Sequence, residues 1–444
     1  MKTIQALGWY FPEASGGTEV YVDGLARELR TLGVEGVVAA PRLGDAGNVY
    51  EHHAIPVYRY PVAKRLSVAQ IRGQVPPDGF DVFARWLQAQ TADVYHQHSW
   101  TTGCGIHHLR QARRQGCRTV VTVHVPGNVC LRGTMMLQGQ SPCDGFIRED
   151  RCGVCWAGGQ GAPSLAAQVA AGLPAGWRKL AVRVLPDSGL STLLSLPELV
   201  GAHRNGLLEM AELSDRVVAV CQWLYDALAA NGVPRSKLVL SRQGISEESM
   251  AAEPSAPARP GDGRRPLRLG YLGRWDPVKG VHVLVRAIRQ LPPSVSMQLT
   301  IHALNQGDLR QSYQNRVLAE MAGDPRIRIA QPLAREEVLK TLAMFDALVV
   351  PSQWLETGPL VVLEAQAAGI PVLGSRLGGI AELVQPGING ELVAASDIEA
   401  WAAALRRWAE NPAAVRAMRG SKAPVRTMKE AAADMARLYQ EILR

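Results

Sequence analysis

Short apolar runs of strand length alternate with amphipathic segments of helix length along most of the chain, and this alternation limits the fold more than any single motif. A parallel strand cannot be reached through a tight turn; it needs a crossover of a dozen or more residues, usually a helix. Repeated strand–helix units therefore predict parallel sheets with helices on both faces. Lys2–Trp9, Val34–Ala40, Asp93–His98, Arg118–Val123, Arg216–Val220 and Lys237–Arg242 read as strands of a first sheet. Leu267–Leu272, Gln298–His302, Ile327–Ala330, Leu348–Val350 and Pro371–Gly374 read as strands of a second. Between them, EPSAPARPGDGRRP at 253–266 is rich in proline and glycine, lacks apolar periodicity and reads as a linker. The expected fold is α/β, with two Rossmann-like doubly wound domains, 1–252 and 267–426, facing across a cleft.

The 444 residues supply enough chain for two or three cored domains, and 47% hydrophobic with 20% charged residues excludes a disordered chain. The net charge of +8 suits an anionic substrate or peripheral contact with an anionic membrane. Its basic residues are scattered and not interleaved with aromatics, which argues against nucleic acid. MKTIQALGWYF is too short an apolar run for a signal-peptide core and reads as the first strand, and no run of about 18 apolar residues occurs after it. A cytoplasmic enzyme with reduced cysteines is expected.

The chemistry concentrates in VVPSQWLETGPLVVLEAQAAGIPVLGSRLGG, residues 349–379. Pro351-Ser352 ends a buried strand, Pro359 suits the first turn of a helix over Leu360–Ala368, and Gly369 suits the position past its end. Glu356 then falls in the loop and Glu364 one to two turns into the helix. Unpaired N–H groups after Gly358 at the helix start favour phosphate, whereas ionised carboxylates accept from hydroxyls. A nucleotide sugar has both kinds of group, and Thr357, Gly358, Pro359 and Leu360 line the same turn.

Three further segments carry comparable signals. Gly16-Gly17 precede a helix predicted from Thr18 to Leu32, with Val20, Leu25, Leu29 and Leu32 on one face. His124 comes directly after the strand Arg118–Val123, at the kind of strand end where α/β folds place ligands; His96 and His98 end another strand, as core histidines or as cleft residues. GRWDPVKG at 273–280 sets Arg274 and Lys279 between a strand and a helix start, where a guanidinium fork and a mobile ammonium can hold a diphosphate. No D-x-D in a suitable loop offers a catalytic metal site.

Together the glycine loop GGTEVYVDGLARELRTLG, TVH, GRWDPVKG and E-x7-E resemble the retaining GT-B glycosyltransferases of family 4 over most of the chain. The GIS segment at 244–246 departs from that pattern, with Gln243 and Glu247 replacing its asparagine and aspartate. The resemblance implies a nucleoside-diphosphate sugar donor, UDP or GDP being the expected nucleotide, and a sugar, lipid-linked or small-molecule acceptor. It implies that Arg274 and Lys279 hold the diphosphate, Glu364 the ribose and Glu356 the transferred sugar. His124 would contact the sugar from the opposite domain, and the backbone at Gly16-Gly17 would approach the diphosphate. Retention of configuration without a catalytic metal, and a last helix at 427–444 that packs back on the first domain, are also implied.

Other functions remain open on the residues alone. A phosphorylase or sugar-phosphate synthase would use the same donor groups, and a non-catalytic nucleotide-sugar-binding protein could share the fold. A nicotinamide oxidoreductase would require G-x-G-x-x-G, which is found after neither first strand. Cys130, Cys143, Cys152 and Cys155 form C-x12-C-x8-C-x2-C within a glycine-rich insertion at 125–162. They are candidate ligands of a structural zinc, with a redox disulfide and then an iron–sulfur cluster as the alternatives, in a segment short of large apolar groups.

Overall fold

A computed structural model describes the chain except residues 14–15, 45, 72, 185–188, 247–264, 306–307 and 421–424. It separates into two units: Met1–Arg242 with Met428–Arg444, and Gln243–Thr427. Most of the linker expected at 253–266, and Glu247, lie outside the described residues.

In the first unit, eight strands lie side by side in the order Leu238–Leu240, Arg216–Ala219, Arg118–Val123, Val94–Gln97, Lys2–Ala6, Glu35–Leu43, Ile55–Val62 and Asn48–His52. Every pairing is parallel except the last, an antiparallel hairpin. Pro56 and Pro61 argue against a long element here, yet Ile55–Val62 is a strand. Pro61 lies beyond the register of the short edge strand, which ends at Arg59, so its missing N–H costs no ladder bond on that side.

The first helix runs Gly17–Thr31 and buries Tyr21, Val22, Leu25 and Leu29; Leu32, assigned to that face, is exposed. The helix Met428–Leu443 completes this core with Met428, Ala432, Met435, Tyr439 and Ile442.

In the second unit, six strands run parallel in the order Ile327–Ala330, Met297–Leu304, Leu267–Arg274, Ala347–Val350, Val372–Ser375 and Gly390–Val393. In chain order this is 3-2-1-4-5-6, the doubly wound arrangement, and it leaves a crevice where the winding reverses, between its first and fourth strands. The run ALVV is apolar and buried throughout because both sheet faces are covered there. Leu269, Val285, Ile288, Leu299, Ile301 and Trp401 lie at the centre of the packing.

Candidate active site

The second unit places Arg274 and Glu356 just past the carboxyl ends of the two strands that flank its reversal. Arg274 ends Leu267–Arg274, and the Tyr271 hydroxyl donates to its carbonyl at 3.1 Å. Sequence predicted a helix beginning at Lys279-Gly280. Instead Pro277–Lys279 is a tight 3-10 turn, and the helix is Val281–Gln290. The Asp276 side chain accepts from Val278 N at 3.1 Å to cap the turn. Gly280, at φ 74°, separates turn from helix, and a Cβ there would lie 1.9 Å from the Pro351 carbonyl oxygen. This close approach brings Lys279 against the loop after the fourth strand.

Lys279 Nζ donates to Glu356 Oε1 at 2.6 Å, Ser352 Oγ donates to the same oxygen at 2.7 Å, and Nζ sits 5.3 Å from the centre of the Trp354 ring. Glu356 is 6% exposed. Burial works against its charge, but Lys279, Ser352 and Trp354 outweigh burial and hold its carboxyl below the usual range. The charges of Glu356 and Arg274 both reach the buried Tyr271 phenol. Lys279 and Glu356, expected to serve different parts of the donor, are thus partners of one another.

Pro359 occupies the N-cap position, one residue before its expected place, and the helix is Leu360–Ala367. Its preceding loop is clamped from behind. Gly379 N donates to the Glu356 carbonyl at 2.6 Å, and a Cβ on Gly378 would lie 2.6 Å from the same oxygen. Thr357 is buried, and Gln243 packs against Gly358. Glu364, 4% exposed, pairs with Arg335. Sequence reasoning missed Arg335, Ser352 and the Gly378-Gly379 clamp. The Glu364–Arg335 pair spans 29 residues, and nothing local to Arg335 announces it.

The first unit brings a different chemistry to its strand ends. His124 is 5% exposed, and its Nε2 lies 3.0 Å from His98 Nδ1. His98 Nε2 lies 2.8 Å from Gln5 Oε1, and Gln5 Nε2 donates to Thr3 Oγ1 at 3.1 Å and to the Tyr439 hydroxyl at 3.3 Å. Tyr439 in turn meets His96 Nδ1 at 2.5 Å, and His96 Nε2 meets Thr122 Oγ1 at 2.7 Å. Burial drives all three histidines downward, His124 to about 3, so each is neutral.

These contacts set the polarity of the chain. With the Gln5 amide nitrogen spent as a donor, its oxygen accepts from His98 Nε2–H. His98 Nδ1 must therefore accept, and His124 carries its proton on Nε2. His96 and His98 are core residues of this network. Gly16 is the N-cap and Gly17 the first residue of the first helix, one residue earlier than the start expected at Thr18, and a Cβ on Gly16 would lie 2.6 Å from Glu19 Oε2.

The insertion has more structure of its own than its composition predicts. Cys152 and Cys155 lie on the helix Glu149–Gly159, which packs through Val154 and Ala157 against Ala167 and Leu196. Cys155 Sγ accepts from Gln138 N at 3.2 Å and Cys152 Sγ from Arg148 N at 3.3 Å; the Arg151 guanidinium lies 3.7 Å from Cys143 Sγ. Burial pushes the Cys143 and Cys152 thiols up. Among the described residues the four sulfurs, Cys130 included, do not furnish three ligand atoms within 4.8 Å of one another, and all are free thiols.

Residues 16–244, just over half of the chain, match the family described as Glycosyl transferase 4-like domain, and residues 258–425 match Glycosyl transferases group 1. A D-inositol 3-phosphate glycosyltransferase of Streptosporangium roseum is 33% identical over 150 residues, covering 32% of this chain and 34% of that one. Glycogen synthase of Mycobacterium tuberculosis is 34% identical over 183 residues, 40% of this chain and 41% of that one. The chain thus matches about a third to two-fifths of the length of these curated relatives. Sucrose-phosphate synthase from Thermosynechococcus elongatus superposes with a TM-score of 0.69 at 20% identity, covering 100% of this chain and 99% of that one. HepE of Anabaena, in complex with UDP and glucose, gives 0.63 at 15% identity, covering 98% and 99%. The chain belongs to the glycosyl transferase 4-like family, has the two-domain GT-B fold, and carries the group 1 glycosyl transferase domain in its second half.

Proposed function

We propose that the protein transfers a sugar, with retention of configuration and without a catalytic metal, from a nucleoside-diphosphate sugar to a hydroxyl acceptor. The observation that carries this is the Lys279–Glu356 pair beside Arg274 at the reversal point of the second sheet. Departure of a nucleoside diphosphate builds negative charge that fixed cations can stabilise. Arg274 and Lys279 take the diphosphate with the N–H groups after Gly358. As Lys279 turns to phosphate, Glu356 is released to accept from hydroxyls of the sugar, and Glu364, held by Arg335, accepts from the ribose. His124 serves the same reaction in its single tautomer, with the backbone at Gly16-Gly17. The HepE complex named for UDP and glucose supports a UDP-type donor. Incubation with UDP-glucose and a panel of sugar acceptors in excess EDTA, with the product anomer read by NMR, tests the proposal. Retained configuration with undiminished turnover is expected; an inverted product, or turnover restored only by Mg²⁺ or Mn²⁺, would refute it.

One surface favours a lipid-linked acceptor over a soluble one. On the helices Ser164–Gly172 and Ala175–Val184, Leu165, Val169, Leu173, Trp177 and Leu180 recur every three or four residues and are 39–71% exposed. No acidic residue occurs from 164 to 184. An exposed apolar stripe without acidic residues, on a chain of net charge +8, suits an anionic bilayer surface. The protein should sediment with vesicles containing phosphatidylglycerol and lose most of that binding on Trp177→Ser with Leu180→Ser; equal sedimentation of both proteins would count against it. Among the described residues no helix is long and apolar enough to cross a membrane.

A further inference from the structure

The hairpin at the edge of the first sheet turns through His53 and Ala54, at φ 50° and 59°. A two-residue turn with both residues left-handed ordinarily uses asparagine and glycine, so a histidine and an alanine here are strained and need a contact that offsets the strain. The contact is Asp23, buried on the helix Gly17–Thr31. His53 Nδ1 lies 2.9 and 3.1 Å from its two carboxylate oxygens, and His52 Nε2 lies 3.7 Å from Oδ1. One ligand atom from each of Asp23, His52 and His53 falls within 4.8 Å of the other two. The His52 ring is fixed by stacking on Phe11 at 4.6 Å and edge-on against Tyr10 at 5.7 Å, and its Nε2 is buried with no hydrogen-bond partner. Tyr10 donates to Asp23 Oδ1 at 3.1 Å.

We propose that Asp23, His52 and His53 form a binding site for a late first-row divalent cation, zinc foremost. Two imidazole nitrogens and a carboxylate are a usual zinc set, and neighbouring ligands of a tetrahedral ion stand about 3.4 Å apart, between the 2.9 and 3.7 Å seen here. The ion gives the orphaned His52 nitrogen its partner, and Tyr10 orients the carboxylate from behind, as outer groups do at metal centres. Three protein ligands leave the fourth position to water. The ion clips the hairpin to the helix that begins at Gly17, and its role is structural.

The test uses the full chain, stripped with chelator and titrated with cobalt(II) and zinc(II) chloride, monitored by cobalt d–d absorption and thermal unfolding. The wild type should bind about one equivalent without a thiolate-to-cobalt band, with Tm rising by about 5 °C or more at saturation. His52→Ala and His53→Gly should each abolish that rise, and because glycine relieves the turn, His53→Gly keeps a folded control. Cys152→Ser with Cys155→Ser should leave it unchanged. No binding by the wild type, or binding that survives both histidine variants, would overturn the site, the latter assigning the metal to the thiols.

Discussion

The two units share a doubly wound plan but put opposite kinds of polar group at their strand ends. The second unit sets formal charges there: Arg274, Lys279 and Glu356, then Arg335 and Glu364. The first sets a neutral chain, His124–His98–Gln5–Tyr439–His96–Thr122, in which each proton has one place. In the second unit the buried Glu356 carboxylate accepts from Lys279 and holds its ammonium in place. In the first unit deep burial lowers all three histidines of the chain and keeps them neutral. The fold supplies the strand ends; burial and pairing decide what they can do.

The sharpest break of this comparison removes the cation. Lys279→Ala should slow transfer by roughly a hundredfold or more, since one fixed contact to a developing anion is worth about 2.7–4 kcal/mol. It should also destabilise the second unit by about 3–5 kcal/mol, because buried Glu356 loses its counter-ion. Lys279→Ala combined with Glu356→Gln should recover most of that stability and none of the turnover, read by denaturant unfolding and steady-state assay. Recovered turnover in the double variant would assign the pair a purely structural role.

Acid should separate the units by a smaller margin. Burial lowers His96 and His98 well below the ordinary histidine range and takes His108 and His124 to about 3. The unfolded chain therefore takes up protons that the folded first unit refuses. The stability these groups contribute is complete above about pH 6.5 and declines as pH falls towards 3, by up to about 1.4 kcal/mol per pH unit for each histidine. In the second unit, among the described residues, only His282 behaves similarly, falling to about 4. Glu356, held low, contributes stability that is complete above about pH 4.5, the ordinary value for its carboxyl, and is lost only as pH falls through its lower folded value. Hydrogen exchange at pH 5.5 against 7.5 should show protection lost first at Val94–Gln97 and Arg118–Val123. Equal loss at Leu267–Arg274 would break the comparison.

Much of the second unit was legible because its signals are local. An apolar run, a proline or glycine and a charged residue a few positions on fix where a strand ends and which side chain the next loop carries, as at Ala347–Val350 and Glu356. The pairings were not legible, because Lys279 with Glu356 and Arg335 with Glu364 depend on which strands become neighbours, 77 and 29 residues apart. The Lys279 turn reads as helix in the sequence because the clash that demands Gly280 comes from Pro351, distant along the chain. In the first unit, His124 could be placed after its strand, but its tautomer depends on Tyr439 in the last helix. The helix that carries Cys152 and Cys155 was not legible for another reason: C-x2-C spacing reads the same in a loop and on a helix, and here it is helical.

The central claim is that the charged strand ends of the second unit bind a nucleoside diphosphate without a metal ion. Thermal unfolding of the full chain in EDTA with UDP, GDP, ADP and TDP tests it most directly. One nucleotide at about 100 times its Kd should add about 2.7 kcal/mol, and Arg274→Ala should remove most of that gain. A flat response to all four, or a gain that Arg274→Ala leaves untouched, would contradict it.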